Sequence, residues 1–277
     1  MQDFPANPST KPGYRLEWND EFDGADLDPG KWLPYYLPQW SSRERSRPIY
    51  KFKDGRLVLQ ITEDQKPWCP EFDGEVKASS IQTGLFAGAE GSKLGQLRFS
   101  EDLIVREAQR NVRLYTPQYG YFECRARGVN TPGNHVSLYM IGYEDTLEKC
   151  AEINMFEIFG QDVTAASTKV RYGIHPWKDP NLTDEFYQDV LDIDATEFHV
   201  YAHEWTPTHV DFYVDNRKIR TIHQSPDYPM QFMLSIYELP GGDRRAAYPR
   251  EFVVDYVRGY QPDAGYSREY HHSRTVC

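Results

Sequence analysis

Apolar and polar side chains alternate residue by residue along much of this chain, and that pattern limits its fold more than any other feature. Few segments keep the 3.6-residue apolar period of an amphipathic helix, while many keep period two. Leu57, Leu59 and Ile61 alternate with Val58 and Gln60. Phe122, Cys124 and Ala126 oppose Tyr121, Glu123, Arg125 and Arg127, and Val136, Leu138 and Met140 oppose His135, Ser137 and Tyr139. Val210, Phe212 and Val214 oppose Asp211 and Tyr213. Successive side chains of a strand point to opposite faces, so each run reads as a strand with one buried face. The last run leads into Asp215-Asn216, which tolerate positive φ, and then into residues 218–222, the pattern of a tight hairpin. Asp54-Gly55, Thr131-Pro132-Gly133 and Gly241-Gly242 punctuate the strands. Many short strands with turn signals predict an antiparallel sandwich and not βαβ units. No internal repeat, low-complexity tract or interdomain linker interrupts the chain. We divide it into an N-terminal arm (1–13), one β domain (14–262) and a polar C-terminal tail (263–277). Residues 67–98, Gly-rich and weakly patterned, are expected to form long surface loops around one or two strands.

Charge narrows the partners. The 277 residues carry 31 Lys+Arg against 42 Asp+Glu, a net −11, which argues against nucleic acid or an anionic membrane as the main partner. No apolar stretch is long enough for a transmembrane helix. Residues 1–13 lack a basic segment followed by an apolar one, so no signal peptide is read here. A chain complete as written would be cytoplasmic. Aromatics make up 14% of the residues, led by 20 Tyr, a composition suited to half-buried rings in β-sheets and also to stacking against sugars. Cys69, Cys124, Cys150 and Cys277 show no C-x-x-C spacing, so neither a zinc site nor a dithiol motif is expected, and no disulfide is assigned. Cys124 falls on an apolar strand face and reads as a core thiol.

The segment 151–160, Ala-Glu-Ile-Asn-Met-Phe-Glu-Ile-Phe-Gly, carries the most chemistry. Glu152 and Asn154 share a face by period two. Glu157 lies five positions from Glu152, so a regular strand would turn it into the apolar core, a costly place for a lone carboxylate. One extra residue, a β-bulge at Met155-Phe156, returns Glu157 to the face of Glu152 and Asn154 and keeps Ile153 and Ile158 inward. Two glutamates on one face beside aromatics suit retaining glycoside hydrolysis, in which one attacks the anomeric carbon and the other protonates the leaving oxygen. Two solvated strand glutamates would satisfy the same spacing.

Further blocks occur in order along residues 14–261. They are Trp18-Asn19-Asp20-Glu21-Phe22-Asp23-Gly24 with Leu27-Asp28-Pro29-Gly30-Lys31-Trp32, Asp54-Gly55-Arg56-Leu57, Tyr119-Gly120-Tyr121-Phe122-Glu123-Cys124-Arg125, Glu204-Trp205-Thr206-Pro207 with Phe212-Tyr213-Val214-Asp215, and Val254-Asp255-Tyr256-Val257-Arg258-Gly259-Tyr260-Gln261. With these blocks the chain resembles the laminarinase-like members of glycoside hydrolase family 16. The resemblance implies an all-β fold, a β-jelly-roll sandwich of two antiparallel sheets of the concanavalin A-like lectin/glucanase type. It also implies a secreted, monomeric, retaining endo-acting β-glycan hydrolase on a β-1,3-type glucan, with a polysaccharide or oligosaccharide as its partner. Glu152 becomes the nucleophile and Glu157 the acid/base. The family motif is E-x-D-x-x-E, and Asn154 stands where its central Asp would be. An amide can donate to Glu152 but carries no charge, so the resemblance predicts a lower Glu152 pKa and a weaker lift on Glu157.

The family's W-P-A-F-W run is replaced by residues 135–140, which puts His135 and Tyr139 where a tryptophan floor would lie. His175 is read as a substrate or acid/base contact or as a surface-loop histidine. Trp177 is a sugar platform or loop packing, and Trp205 is expected to face the cleft. Tyr237 and Glu238 are cleft candidates against exposed strand residues. Residues 35–42, with Trp40, form a cleft wall or an ordinary loop. No cofactor is implied for catalysis. Many members hold a structural Ca²⁺, for which Asp255, Glu21 and the Gly55 carbonyl are the matching ligands. Two alternatives remain on the same fold: a non-catalytic glycan-binding protein, and a transglycosylase.

Overall fold

Alternation pairs the strands into two stacked antiparallel sheets. The computed structural model describes residues 2–143, 145–243 and 245–266. In chain order the strands are β1 (Tyr14–Asp20), β2 (Ile49–Phe52), β3 (Leu57–Ile61), β4 (Lys77–Gln82), β5 (Gly84–Leu85), β6 (Val112–Arg113), β7 (Gly120–Arg127), β8 (Asn134–Gly142), β9 (Glu152–Phe159), β10 (Thr168–His175), β11 (Glu185–Leu191), β12 (His199–Trp205), β13 (Val210–Val214), β14 (Arg217–Ile222), β15 (Met230–Glu238) and β16 (Arg250–Pro262). One sheet runs β14-β13-β12-β7-β16-β3-β2, with β1 also paired to β16; the other runs β11-β10-β9-β8-β15-β4. Strands β5 and β6 form a separate pair. This is the antiparallel jelly-roll sandwich expected from the alternation and the resemblance. The β13–β14 hairpin turns at Asp215 and Asn216, with φ of 49° and 62°.

The inner faces meet in one core. Leu57, Leu59 and Ile61 of β3, Phe122, Cys124 and Ala126 of β7, Val136, Leu138 and Met140 of β8, and Ile153 and Ile158 of β9 belong to it. Burial drives the Cys124 thiol well above its ordinary pKa, as befits a core residue. Cys69, Cys124 and Cys150 are free thiols, and Cys277 lies outside the described residues.

Residues 67–98 hold two strands, as expected, but the loops around them do not all lie at the surface. A four-residue helix (Pro70–Asp73), β4 and β5 fall within this stretch. Trp68, Cys69, Val76 and Leu97 enter a second apolar cluster with Tyr36, Leu37, Trp40, Leu103, Tyr139, Ile141, Met233 and Tyr237. Its anchors come from several loops, so no period along the sequence marks them. Gly95 permits one close approach, since a Cβ there would lie 2.8 Å from the Trp40 ring.

The Ca²⁺ ligand set is also corrected. Arg56 Nε and Arg125 donate to the two Asp255 carboxylate oxygens at 2.9 and 2.7 Å. Arg258 donates twice to Glu21, both at 2.9 Å. These oxygens are engaged by guanidinium groups, so the residues do not fit a cation that needs six to eight oxygen ligands. Among the described residues no group of three or more His, Cys, Asp or Glu is placed to hold a metal. The N-terminal arm packs over this charged face. Arg125 donates to the Phe4 carbonyl at 2.7 Å, Arg258 to the Asn7 carbonyl at 2.9 Å, and Asn7 Nδ2 to Glu123 at 2.9 Å.

Candidate active site

Strand registers fix where the two glutamates point. Between β8 and β9, Tyr139 pairs with Asn154 and the next residue, Leu138, pairs with Phe156, so Met155 is the extra residue. Against β10, Asn154 faces Gly173 and Glu157 faces Arg171, again one residue long on the β9 side. Met155 and Phe156 both pack in the main core. Beyond the bulge Glu157 therefore returns to the face of Glu152 and Asn154, the outer face of the six-stranded sheet. Gly173 sits at positive φ (144°), and a Cβ there would lie 2.2 Å from the Glu185 carbonyl oxygen. The residue opposite Asn154 must therefore be Gly if β11 is to lie against β10.

The carboxylates differ in environment. Glu152 is 6% exposed, and Asn154 Nδ2 and Trp177 Nε1 both donate to it, the latter at 3.0 Å. Burial raises its pKa; the charge of His175 and the two donors work against that rise. Glu157 is pushed up to about 8, first by burial and then by the Glu152 charge, with Arg171 opposing. Asn154 thus donates to Glu152 without adding a charge, and burial is the main cause that raises both carboxyls above their ordinary values.

Around Glu157 several polar atoms are buried without a partner. They are His135 Nε2, Ser137 Oγ, Asn154 Oδ1 and Arg171 Nη1. His135 Nε2 lies 3.8 Å from Glu157, beyond hydrogen-bond reach. Its ring stacks on Phe159 (4.4 Å, 3°) and Tyr237 (5.1 Å, 26°), and burial lowers its pKa to about 3, so the imidazole is neutral. Arg171 lies over the Phe159 ring at 4.4 Å and pairs with Asp162 at 2.7 Å. Buried polar groups left open in this way are costly unless a ligand completes them.

His175 Nδ1 pairs with Asp184 at 2.6 Å and its ring stacks on Phe186 at 4.1 Å. Trp177 is 46% exposed beside Glu152. Glu152, Asn154, Glu157, His135, His175 and Trp177 thus gather at one place. Tyr139 and Tyr237 border it but are only 4% and 6% exposed, and their hydroxyls hydrogen-bond each other at 3.0 Å. Neither presents an open ring face to a sugar.

Two expectations fail. Trp205 lies on β12 of the other sheet, fully buried in the main core, with its indole N–H donating to Ser225 Oγ at 2.9 Å. Glu238 points away from Tyr237 by strand alternation and is held by Lys77 at 3.2 Å and the Tyr248 hydroxyl at 2.7 Å. Sequence reasoning missed Arg171, Phe159, Ser137 and Asp184. Pairing β9 with β10 as a hairpin would have placed Arg171 opposite Glu157.

The family model "Glycosyl hydrolases family 16" matches residues 112–258, which contain this site. A β-glucanase of Acetivibrio thermocellus is 30% identical over 149 residues, 51% of this chain and 42% of that protein, so the chain spans less than half of that relative's length. The solved structure of a GlcNAcα1-4Gal-releasing endo-β-galactosidase from Clostridium perfringens superposes with a TM-score of 0.85 at 38% identity, covering 96% of this chain and 67% of that one. The laminarinase catalytic domain of Thermotoga petrophila shares the fold, with a TM-score of 0.64 at 18% identity over 90% of this chain and 98% of that one. A bulged strand bearing two glutamates, inside a jelly roll whose matched segment makes up just over half of the sequence, leads to one assignment: this chain belongs to glycosyl hydrolase family 16.

Proposed function

We propose that this protein is a retaining endo-acting β-glycan hydrolase that cleaves a β-galactosyl linkage, with Glu152 as nucleophile and Glu157 as acid/base. The observation that carries the reading is the bulge that puts both carboxyls on one face, where burial and the Glu152 charge push the Glu157 pKa up to about 8. A Glu152 oxygen attacks the anomeric carbon while Glu157 gives its proton to the leaving oxygen. Esterified Glu152 carries no charge, so the repulsion that helps raise the Glu157 pKa disappears at that step. Glu157 then ionises more readily and removes a proton from the water that attacks the same carbon. Water in that role gives hydrolysis; a sugar hydroxyl would give transglycosylation.

For the substrate, the 38% identity to the endo-β-galactosidase across nearly the whole chain supports a galactosyl ring at the pair. The open polar atoms of His135, Ser137, Asn154 and Arg171 supply hydrogen-bonding groups where the resemblance placed a tryptophan floor. Sites built on such bonds discriminate sharply between hydroxyl patterns. The β-1,3-glucan reading draws on the resemblance to laminarinase-like members and on the fold shared with a laminarinase. Reducing-end release from β-galactans and laminarin separates them: galactan turnover with little from laminarin is expected, and the reverse preference would replace the galactosyl reading.

Asn154 gives a sharper test of the electrostatics. Asn154→Asp adds a negative charge beside Glu152 and removes a donor from it, so both changes should raise the pKa of the pair. The acid limb of the kcat/KM profile should move to higher pH by about one unit, the equivalent of ~1.4 kcal/mol. An unmoved profile would show that Asn154 is not coupled to the pair.

A further inference from the structure

Glu157 has a cross-strand partner on each side, and each of those partners carries a buried donor without an acceptor. Ser137 of β8 pairs with Glu157 in register, and so does Arg171 of β10. Side chains directly opposite each other on antiparallel strands stand ~5 Å apart at Cβ, close enough for the Glu157 carboxyl to turn toward either. Among the described residues Ser137 Oγ and Arg171 Nη1 have no hydrogen-bond partner, and Ser137 is fully buried. The guanidinium is held from two sides. It lies over the Phe159 ring, which stacks on His135, which stacks in turn on Tyr237. Asp162 pairs with Arg171 Nη2 at 2.7 Å. Asp162 also faces Lys169 at 3.4 Å, so two cations share one carboxylate and a positive charge is left over beside Glu157. Donors fixed by packing and left open in the resting site are placed for a negative charge that develops during the reaction.

We propose that Ser137 and Arg171 are positioning residues for the second half of the reaction: they hold the Glu157 carboxylate by hydrogen bonds once it has given up its proton, so that it can take one from water. The inference rests on the double displacement read above and assigns these two residues to one of its steps. In the first step Glu157 is neutral, and its proton goes to the leaving oxygen. When that sugar departs, Glu157 is left as a buried anion beside the glycosyl ester of Glu152. A buried carboxylate without donors is costly and recaptures a proton from solvent, which would end its use as a base. The Ser137 hydroxyl and one Arg171 N–H donate to it from opposite strands and keep it ionised and aimed. Water then loses a proton to Glu157 as its oxygen bonds to the anomeric carbon. The ester bond breaks, and its electron pair returns to the Glu152 carboxylate.

The test compares the parent with Ser137→Ala and Arg171→Gln on the dinitrophenyl glycoside of an oligosaccharide that the parent releases from galactan or laminarin. Dinitrophenolate departs without a proton, so kcat/KM reads formation of the glycosyl ester and kcat reads its breakdown. We expect kcat to fall about 10- to 100-fold in Arg171→Gln and about 3- to 10-fold in Ser137→Ala. KM should fall with it and leave kcat/KM near the parent value, and mixing should release a burst of dinitrophenolate. Azide attacks without a general base, so adding it should restore kcat in both variants. An equal fall in kcat and kcat/KM with no burst would mean that the two residues serve sugar binding or the fold, and unchanged kinetics would mean that Glu157 needs neither donor. Either result overturns the proposal and leaves the hydrolase reading intact. A folded parent that releases nothing from either polymer would overturn both.

Discussion

Glu152→Ala should lower kcat by roughly 10⁴-fold or more, because covalent catalysis loses its only nucleophile. Added azide should restore much of the rate on an activated aryl glycoside and give a glycosyl azide of inverted configuration. The small anion enters the space left by the carboxylate, and Glu157 can still assist departure of a leaving group. Trp177 and Asn154, which donate to Glu152 in the parent, would be left facing that space and suit an anion there. Unchanged activity in Glu152→Ala would remove Glu152 as nucleophile.

Glu157→Gln should cost about 10²–10⁴-fold in kcat on substrates with poor leaving groups, the usual range for losing a general acid. Its effect on stability runs the other way. Glu157 ionises near 4.5 when exposed but only near 8 in the folded protein, because burial and the Glu152 charge disfavour its anion. A carboxyl whose pKa is raised by folding contributes stability that is fully present below about pH 4.5 and is lost as the pH climbs to 8. Glutamine does not ionise and avoids that loss. The variant should therefore melt close to the parent in acid and several degrees above it near pH 9, a gain of a few kcal/mol at most. Equal melting temperatures at alkaline pH would mean that the folded protein does not hold Glu157 neutral. A protein that is less stable with its acid intact than without it is keeping that acid for chemistry.

The sandwich was readable because alternation is local. Phe122, Cys124 and Ala126 declare an inner face with no knowledge of the partner strand, and the structure buries all three. The bulge was readable for a related reason: an odd spacing between two acids conflicts with the cost of burying one, and a single inserted residue, Met155, resolves it. What depended on distant packing was not readable. Tyr139 looked like an exposed ring on alternation alone, but Trp68 and Tyr36 arrive from loops more than seventy and one hundred residues away to bury it. Trp205 was assigned to the cleft by the family pattern, although its own strand lies in the other sheet. Asp255 and Glu21 were matched to metal ligands by the family resemblance, which does not show the arginines that neutralise them here. Arg171 and Asp184 lay beyond the motif, and only the pairing of β9 with β10 and the stacking of His175 on Phe186 brings them in.

The configuration of the first product tests most directly whether two glutamates on one bulged strand run a double displacement. Proton NMR of a β-glycan digest, followed from the first minutes before mutarotation, reads the anomeric signal of the newly formed reducing end. The β anomer should appear first and then relax toward the equilibrium mixture. Initial appearance of the α anomer would mean a single displacement by water, and Glu152 would then be a base and not a nucleophile.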